Sequence, residues 1–496
     1  MKQLIQNFKT GDLYVDEVPP PSLLDGYVLV ENKFSLISAG TERGTVKVAQ
    51  ANVIGKAKQR PDLVAQVMQN LRKEGLQATI SKVKTKLDSL KALGYSTSGV
   101  VMASMDRNSL FKPGDRVACA GQDYASHAEI VAVPQNLVVK IPDNVSFEEA
   151  AFTTLGSIAL QGVRQAAPEI GGKICVIGLG LLGQLTCQIL RANGCEVFGI
   201  DLNESLVLLA KQLSAHSTLN RNDPNLISAC ENFTGGNGFD SVIITAAAPT
   251  NDPIELSSEI LRKKGKVIVV GAVKMDIPRD PHFYRKELDL RMSCSYGPGR
   301  YDVNYEENGI DYPYAFVRWT EQRNMEAFLM LLSRKAIDVK PLITHIFDVD
   351  NAVKAYDLVL GVTKEHFIGI LLKYSPNDKK TLTLHQVRNL PVGDINIGFV
   401  GAGSFAQSYL IPAVKEWGAS LDGVVTANGM SSKNVLDKFK FNFCSSDIYD
   451  LLNKEAINTI FIATPHNIHA ELVIKSLAAN KSVYVEKPLA INEQQL

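Results

Sequence analysis

Between residues 151 and 300, short apolar runs alternate with stretches of helical pattern. Ile174–Ile177, Glu196–Ile200, Ser241–Thr245 and Lys266–Val270 are β-branched and of strand length. Strand and helix in strict alternation predict a parallel, doubly wound α/β sheet. Residues 1–150 read differently, as short strands punctuated by turns, among them Gly26–Glu31, Gly99–Ala103, Asp115–Ala118 and Leu137–Lys140. Within this β-rich segment, residues of about 45–93 read as a helical insertion. Pro61 suits the first helical position, Leu63, Val64, Val67, Met68 and Leu71 form one apolar face, and Ile80, Val83, Leu87 and Leu90 form a second. Residues 301–375 return to the first segment, 376–394 are a polar linker, and 395–496 again alternate strand and helix. The expected organisation is a β-rich catalytic domain (1–150 with 301–375), a Rossmann domain (151–300) and a second, incomplete Rossmann domain (395–496).

Composition narrows the function classes. The 496 residues carry 52 basic and 52 acidic side chains, so the charge footprint of a nucleic-acid binder is missing. The longest apolar stretches, Val242–Ala248 and Val267–Val273, are strand-sized, well below the roughly 18 residues of a membrane span. The opening MKQLIQNFKTGD has no signal-peptide core. The seven cysteines are scattered without a CxxC pair, which fits a reducing cytoplasm. The expected partners are a small-molecule substrate and further copies of the chain in a homo-oligomer, with no nucleic acid and no membrane.

The chemistry concentrates first in KICVIGLGLLGQ, which carries Gly178, Gly180 and Gly183 in a GxGxxG spacing directly after an apolar strand and at the start of a helix. Gly178 permits the tight turn, Gly180 lets the backbone around Leu179 and Leu181 approach a pyrophosphate, and Gly183 lets the helix pack on the strand. Asp201 stands 23 positions after Gly178 at the end of the next strand, where a carboxylate accepts the ribose hydroxyls of NAD and repels the 2′-phosphate of NADP. Thr245 and Gly271 close later strands and are expected on the nicotinamide side.

Together with KPGDRV (112–117), GFDSVIITAAA and GKVIVVGA, this fingerprint resembles the medium-chain dehydrogenase/reductase family over about residues 1–375. The resemblance implies a GroES-like catalytic domain beside the Rossmann domain. Zinc-dependent members of that family place a Cys where this chain has Ala39, and His and Glu where it has Tyr95 and Ser96. Ala, Tyr and Ser do not supply the nitrogen and sulfur donors of a zinc site, so the expectation is NAD without zinc. Thr41 matches the family's hydroxyl-relay position, Tyr95 a lost ligand position, and Glu42 is the adjacent titratable group; these are the general acid/base candidates. The aromatic and basic stretch 295–324 offers Tyr296, Arg300, Tyr301 and Arg318 for an anionic or hydroxylated substrate. Along with LGYSTSG, it resembles bacterial two-domain oxidoreductases associated with surface-polysaccharide sugar metabolism.

A second fingerprint, INIGFVGAGSFAQ, places Gly401, Gly403 and Ala406 in the same spacing, with Thr426 where the first unit has Asp201; its preference between NAD and NADP stays open. Downstream, IFIATPHNIHAELV and VYVEKPLA make this segment resemble the glucose–fructose oxidoreductase/inositol dehydrogenase family. The resemblance implies that Thr464, Pro465 and His469 border the cofactor and that Lys487, next to Glu486, faces the nicotinamide and substrate as a catalytic group. That family continues into a substrate-binding sheet, whereas this sequence stops at Leu496 and is expected to be either the front of a longer protein or a product that has lost its second substrate site. The expected function is hydride transfer to or from a hydroxyl or carbonyl group, of a sugar or sugar derivative. The alternatives are a zinc-free quinone or enone reductase and a non-enzymatic NAD-binding scaffold.

Overall fold

The computed structural model describes residues 1–50, 67–69, 83, 90–375, 383–385 and 395–496. Four sheets organise them. The parallel sheet of the first Rossmann unit has six strands in the spatial order Ser217–Asn220, Glu196–Asp201, Lys173–Ile177, Phe239–Ile244, Leu261–Val269, Asp289–Met292. By position in the chain this is 3-2-1-4-5-6, the dinucleotide-binding order, in which ligands sit beyond the carboxyl ends of the strands. Its central strands are buried along nearly their whole length, which is why they read as continuous apolar runs.

The β-rich unit is a seven-stranded sheet built on the long strand Tyr27–Ile37, which pairs antiparallel with Ser96–Ser104 and with Ile130–Pro134. Gly369–Lys373 pairs antiparallel with the other end of that strand. A smaller sheet of Leu13–Glu17, Lys2–Asn7 and Leu90–Ala92 packs alongside.

Here two details depart from the sequence reading. Leu90, placed on a helix face, begins a strand that pairs with Lys2–Asn7, because the three residues find an open antiparallel edge. The helix predicted from about residue 45 already starts at Ala39, so the SAGTE motif lies on its first turn. Val67, Met68 and Val83 are helical, with Met68 about half exposed. Pro61, Leu63, Val64, Leu71, Ile80 and Leu87 fall outside the described residues.

The second Rossmann unit has the parallel order Phe443–Ser445, Ser420–Val425, Asn396–Val400, Thr459–Ile462, Ser482–Val485. Thr383–His385, within the stretch read as linker, joins its edge as an antiparallel strand. Among the described residues, no helix is long and apolar enough to cross a membrane.

Candidate functional site

The first fingerprint forms the expected turn. Gly178 has φ +97°, and a Cβ there would lie 2.5 Å from the Ala246 backbone nitrogen, so only glycine fits. Gly183 would carry its Cβ 1.9 Å from the Gly178 carbonyl oxygen, which fixes how closely helix and strand approach. Gly180 is different: it caps the helix Leu181–Ala192, and the space where its side chain would project is open. That open cradle at a helix N-terminus fits a pyrophosphate. Asp201 ends its strand with Oδ2 accepting from the Leu179 amide (2.6 Å) and Oδ1 from the Asn203 amide (2.8 Å), which fixes the carboxylate beside the turn. The Leu179 side chain itself is buried in the core, so only its backbone faces the turn, and Leu181 is half-buried. Thr245 donates to the Gly178 carbonyl at 2.5 Å, and Gly271 packs its backbone against Ala246.

Of the acid/base candidates, Thr41 and Tyr95 are brought together. The Tyr95 hydroxyl donates to Ser38 Oγ at 2.6 Å, and Thr41 is a second hydroxyl neighbour. Burial pushes the Tyr95 phenol above its ordinary range, against the opposing pull of its bonds to Ser38 and Thr41. At neutral pH it is therefore a protonated hydroxyl, suited to donating. Ser38 was not foreseen, because nothing in the local pattern distinguishes it from other serines.

Glu42 goes elsewhere. It is 3% exposed, accepting from the Ser38 amide (2.8 Å) and the Tyr356 hydroxyl, with His127 Nε2 at 3.2 Å. The network continues from His127 Nδ1 to Ser35 Oγ (2.7 Å) and on to the Tyr374 hydroxyl (2.7 Å). One neutral imidazole satisfies the whole chain if Tyr374 donates to Ser35, Ser35 to Nδ1, and Nε2–H to the carboxylate. His127, Tyr356 and Tyr374 also escaped the sequence reading; they come from distant segments.

Of the four substrate candidates, Tyr296, Arg300 and Tyr301 are neighbours, with the Arg300 guanidinium 5.8 Å from the centre of the Tyr296 ring, whereas Arg318 stacks elsewhere. Tyr296 is 2% exposed, with no hydrogen-bond partner for its hydroxyl among the described residues. Arg300 is engaged with Glu306 at 2.5 Å and lies over the Tyr301 ring at 4.3 Å, whereas Tyr301 and Arg318 are exposed, the latter stacked on Trp319 at 3.8 Å.

The second fingerprint repeats the first. Gly401 has φ +84° and would place a Cβ 2.4 Å from the Ala463 carbonyl, Gly403 faces open space, and Ala406 is buried. Thr426 donates to the Asn428 carbonyl at 2.6 Å. His469 is fully buried, with Nδ1 2.8 Å from the Pro488 carbonyl and Nε2 2.9 Å from the Thr464 carbonyl. It thus ties the Thr464–Pro465 loop to the loop of Glu486 and Lys487. Glu486 accepts from the Tyr484 hydroxyl at 2.8 Å, Pro465 is exposed, and Lys487 points to the surface.

Comparison with known proteins agrees with this geometry. Residues 182–307 match the family described as zinc-binding dehydrogenase. Residues 395–496 match the oxidoreductase family with an NAD-binding Rossmann fold. The chain joins a zinc-binding-dehydrogenase unit to an NAD-binding oxidoreductase-family Rossmann unit. It is an NAD-dependent oxidoreductase.

An uncharacterised zinc-type alcohol dehydrogenase-like protein of Escherichia coli is 24% identical over 309 residues, 55% of this chain and 81% of the relative. Sorbitol dehydrogenase 1 of Saccharomyces cerevisiae is 23% identical over 70% of this chain and 92% of its own length. Quinone oxidoreductase of Rattus norvegicus is 31% identical, over 36% of this chain and 54% of its own length. Among solved structures, galactitol-1-phosphate dehydrogenase from Escherichia coli superposes with a TM-score of 0.57 at 19% identity, covering 75% of this chain and all of that one, a likeness of fold.

These matches correct the expectation of a zinc-free first unit: both the matching family and the zinc-type relative point to zinc. The expected donor positions do not assemble a site for it. Ala39 has no donor atom, Tyr95 bonds Ser38, and Ser96 is buried and donates to the Ala151 carbonyl at 2.7 Å. Among the described residues, no group of three or more His, Cys, Asp or Glu side chains could hold a metal.

Proposed function

We propose that the first unit interconverts a secondary alcohol and a ketone of a polyol or sugar-type substrate with NAD, and that Tyr95, Ser38 and Thr41 carry the proton. The observation behind this reading is the hydroxyl cluster of Tyr95 with Ser38 and Thr41, in which Thr41 and Tyr95 match positions that the family resemblance assigns to chemistry. When bound, NAD supplies the hydride acceptor or donor. The chain's own residues do the rest. The amides of the Gly178–Gly183 turn hold the pyrophosphate, and Asp201 orients the ribose and favours NAD. In the reducing direction the protonated Tyr95 hydroxyl donates to the oxygen on which charge develops, and Ser38 and Thr41 resupply a proton to the Tyr95 oxygen. The sorbitol dehydrogenase relatives support a polyol, and a sugar derivative of surface-polysaccharide metabolism in the cytoplasm is the finer reading. The same reading keeps 1–150 with 301–375 as the catalytic domain, 151–300 as its cofactor domain, 376–394 as the linker and 395–496 as the second cofactor domain.

A second reading, reduction of a quinone or enone, has the quinone oxidoreductase relative in its favour. Turnover of a polyol panel with NAD+ and of a quinone and enone panel with NADH separates the two. Tyr95→Phe is expected to lower kcat by roughly 10²–10⁴-fold, the scale of general acid catalysis, with NAD binding unchanged. NAD binding without turnover on either panel overturns both readings.

A further inference from the structure

A cavity of about 700 Å³ lies where the second Rossmann unit meets the β-rich unit. Its volume is that of a small-molecule site, within the roughly 300–1,000 Å³ such sites span. One wall is the dinucleotide-facing edge of the second unit: the Gly401–Gly403 turn, Thr426 at the end of the second strand, and Ser446 to Tyr449 beyond the third. In a doubly wound fold these positions take pyrophosphate, ribose and adenine in turn. The opposite wall comes from a segment no functional reading has used, VPPPSLL, through Pro20, Pro21, Leu23 and Leu24, with Met102 behind it.

That segment is fastened to the second unit. The Ser22 amide donates to the Ala427 carbonyl at 2.9 Å, its hydroxyl donates to the Ser446 carbonyl, and the Ser446 hydroxyl donates back to the Pro20 carbonyl. Val18, fully buried, packs in one apolar cluster with Met430. Gly429 lies so close that a Cβ would fall 1.7 Å from the Pro19 carbonyl oxygen. The contacts run from Val18 to Ser22, so that stretch is held against the second unit beside the cavity.

We propose that Pro19–Leu24 of the first unit is the lid over the adenosine half of the second unit's dinucleotide site, which makes that site a composite of both units. The chemistry matches the ligand class, the adenosine diphosphate part of NAD or NADP. Two proline rings and two leucines offer an apolar face to an aromatic base, Asp447 offers an acceptor for its exocyclic amine, and Thr426 a hydroxyl for the ribose. Lys487, which marks the nicotinamide end, does not line the cavity, so the lid leaves the reacting end free. Occupancy of the second site then ties the two units together, and a dinucleotide held there braces the catalytic sheet of the first.

The inference rests on dinucleotide binding by the second unit, and the test separates the two ideas. The full chain carrying Gly180→Leu, which fills the first cradle, is titrated calorimetrically with NAD and with ADP-ribose. One binding event is expected for each ligand. Adding Leu23→Asp is expected to weaken both by at least about tenfold, the scale of a like charge set beside a phosphate-bearing ligand. Independently, in the Gly180→Leu, Leu23→Cys chain, alkylation at position 23 is expected to slow severalfold with ADP-ribose. The exposed Cys294 in the same sample serves as the unprotected reference. Binding that Leu23→Asp leaves unchanged, or alkylation that ADP-ribose leaves unchanged, overturns the lid while the second site stands. No binding by the Gly180→Leu chain overturns the second site and the lid with it.

Discussion

Glu42 is the acceptor on which the buried network converges. Its carboxylate serves three donors, and two of their side chains, His127 and Tyr356, are fully buried. Glu42→Ala leaves the Ser38 amide, the Tyr356 hydroxyl and the His127 N–H without an acceptor. At about 1–3 kcal/mol for each of the three buried groups left unpaired, the expected loss of stability is roughly 3–9 kcal/mol, lessened by whatever water enters. Glu42→Gln is milder. Its oxygen can keep the Ser38 amide, and its NH₂ can donate to His127 Nε2 once the ring proton moves to Nδ1 and bonds Ser35; the expected cost is about 1–2 kcal/mol. The assay is urea unfolding followed by near-ultraviolet circular dichroism, with steady-state turnover measured on the same preparations. The expected order is wild type, then Gln, then Ala in stability, with kcat of the Gln variant within a few-fold of wild type. A Gln variant of unchanged stability that has lost turnover would refute the reasoning, because the carboxylate would then belong to the proton path and not to the brace.

The remaining expectations are independent of that network. Asp201→Ala should weaken NAD at the first site by about 1.5–3 kcal/mol and narrow the gap to NADP, read by titration with both cofactors; equal binding of both by the unmutated chain contradicts the assignment. Burial, reinforced by Glu306 and opposed by Arg300, raises the Glu321 carboxyl from 4.5 to about 9. The folded chain therefore holds a proton there that the unfolded chain has released, and this contribution is present below pH 4.5 and lost as pH rises towards 9. Glu321→Gln should remove that loss, so its stability advantage over wild type should grow between pH 5 and 9 by up to about 1.4 kcal/mol per pH unit; parallel urea midpoints at pH 6 and pH 8 would contradict it. Gly429→Ala would ordinarily favour its helix by about 0.5–1 kcal/mol, yet here the new Cβ meets the Pro19 carbonyl, so a net loss of about 1–3 kcal/mol is expected by scanning calorimetry. A stabilised variant would show that the two units do not touch there.

What the sequence determined by itself is what a local pattern can encode. The turns at Gly178 and Gly401, the strands that lead into them and Asp201 at the next strand's end are all set within about 25 residues, where backbone sterics and strand alternation act directly. Tertiary structure decided the rest. Glu42 meets His127 across 85 positions and Tyr356 across 314, and only that meeting turns a candidate acid/base group into a buried brace. Tyr296 and Arg318, alike in an aromatic and basic stretch, part into core and surface according to what packs against each. The zinc expectation rested on three substituted positions, and comparison with whole relatives corrected it. Ser22 and Ser446 lie 424 positions apart, and no periodicity links them. Contacts of that separation follow from how finished sheets bury their remaining apolar faces, and that is settled only when all of the elements are in place.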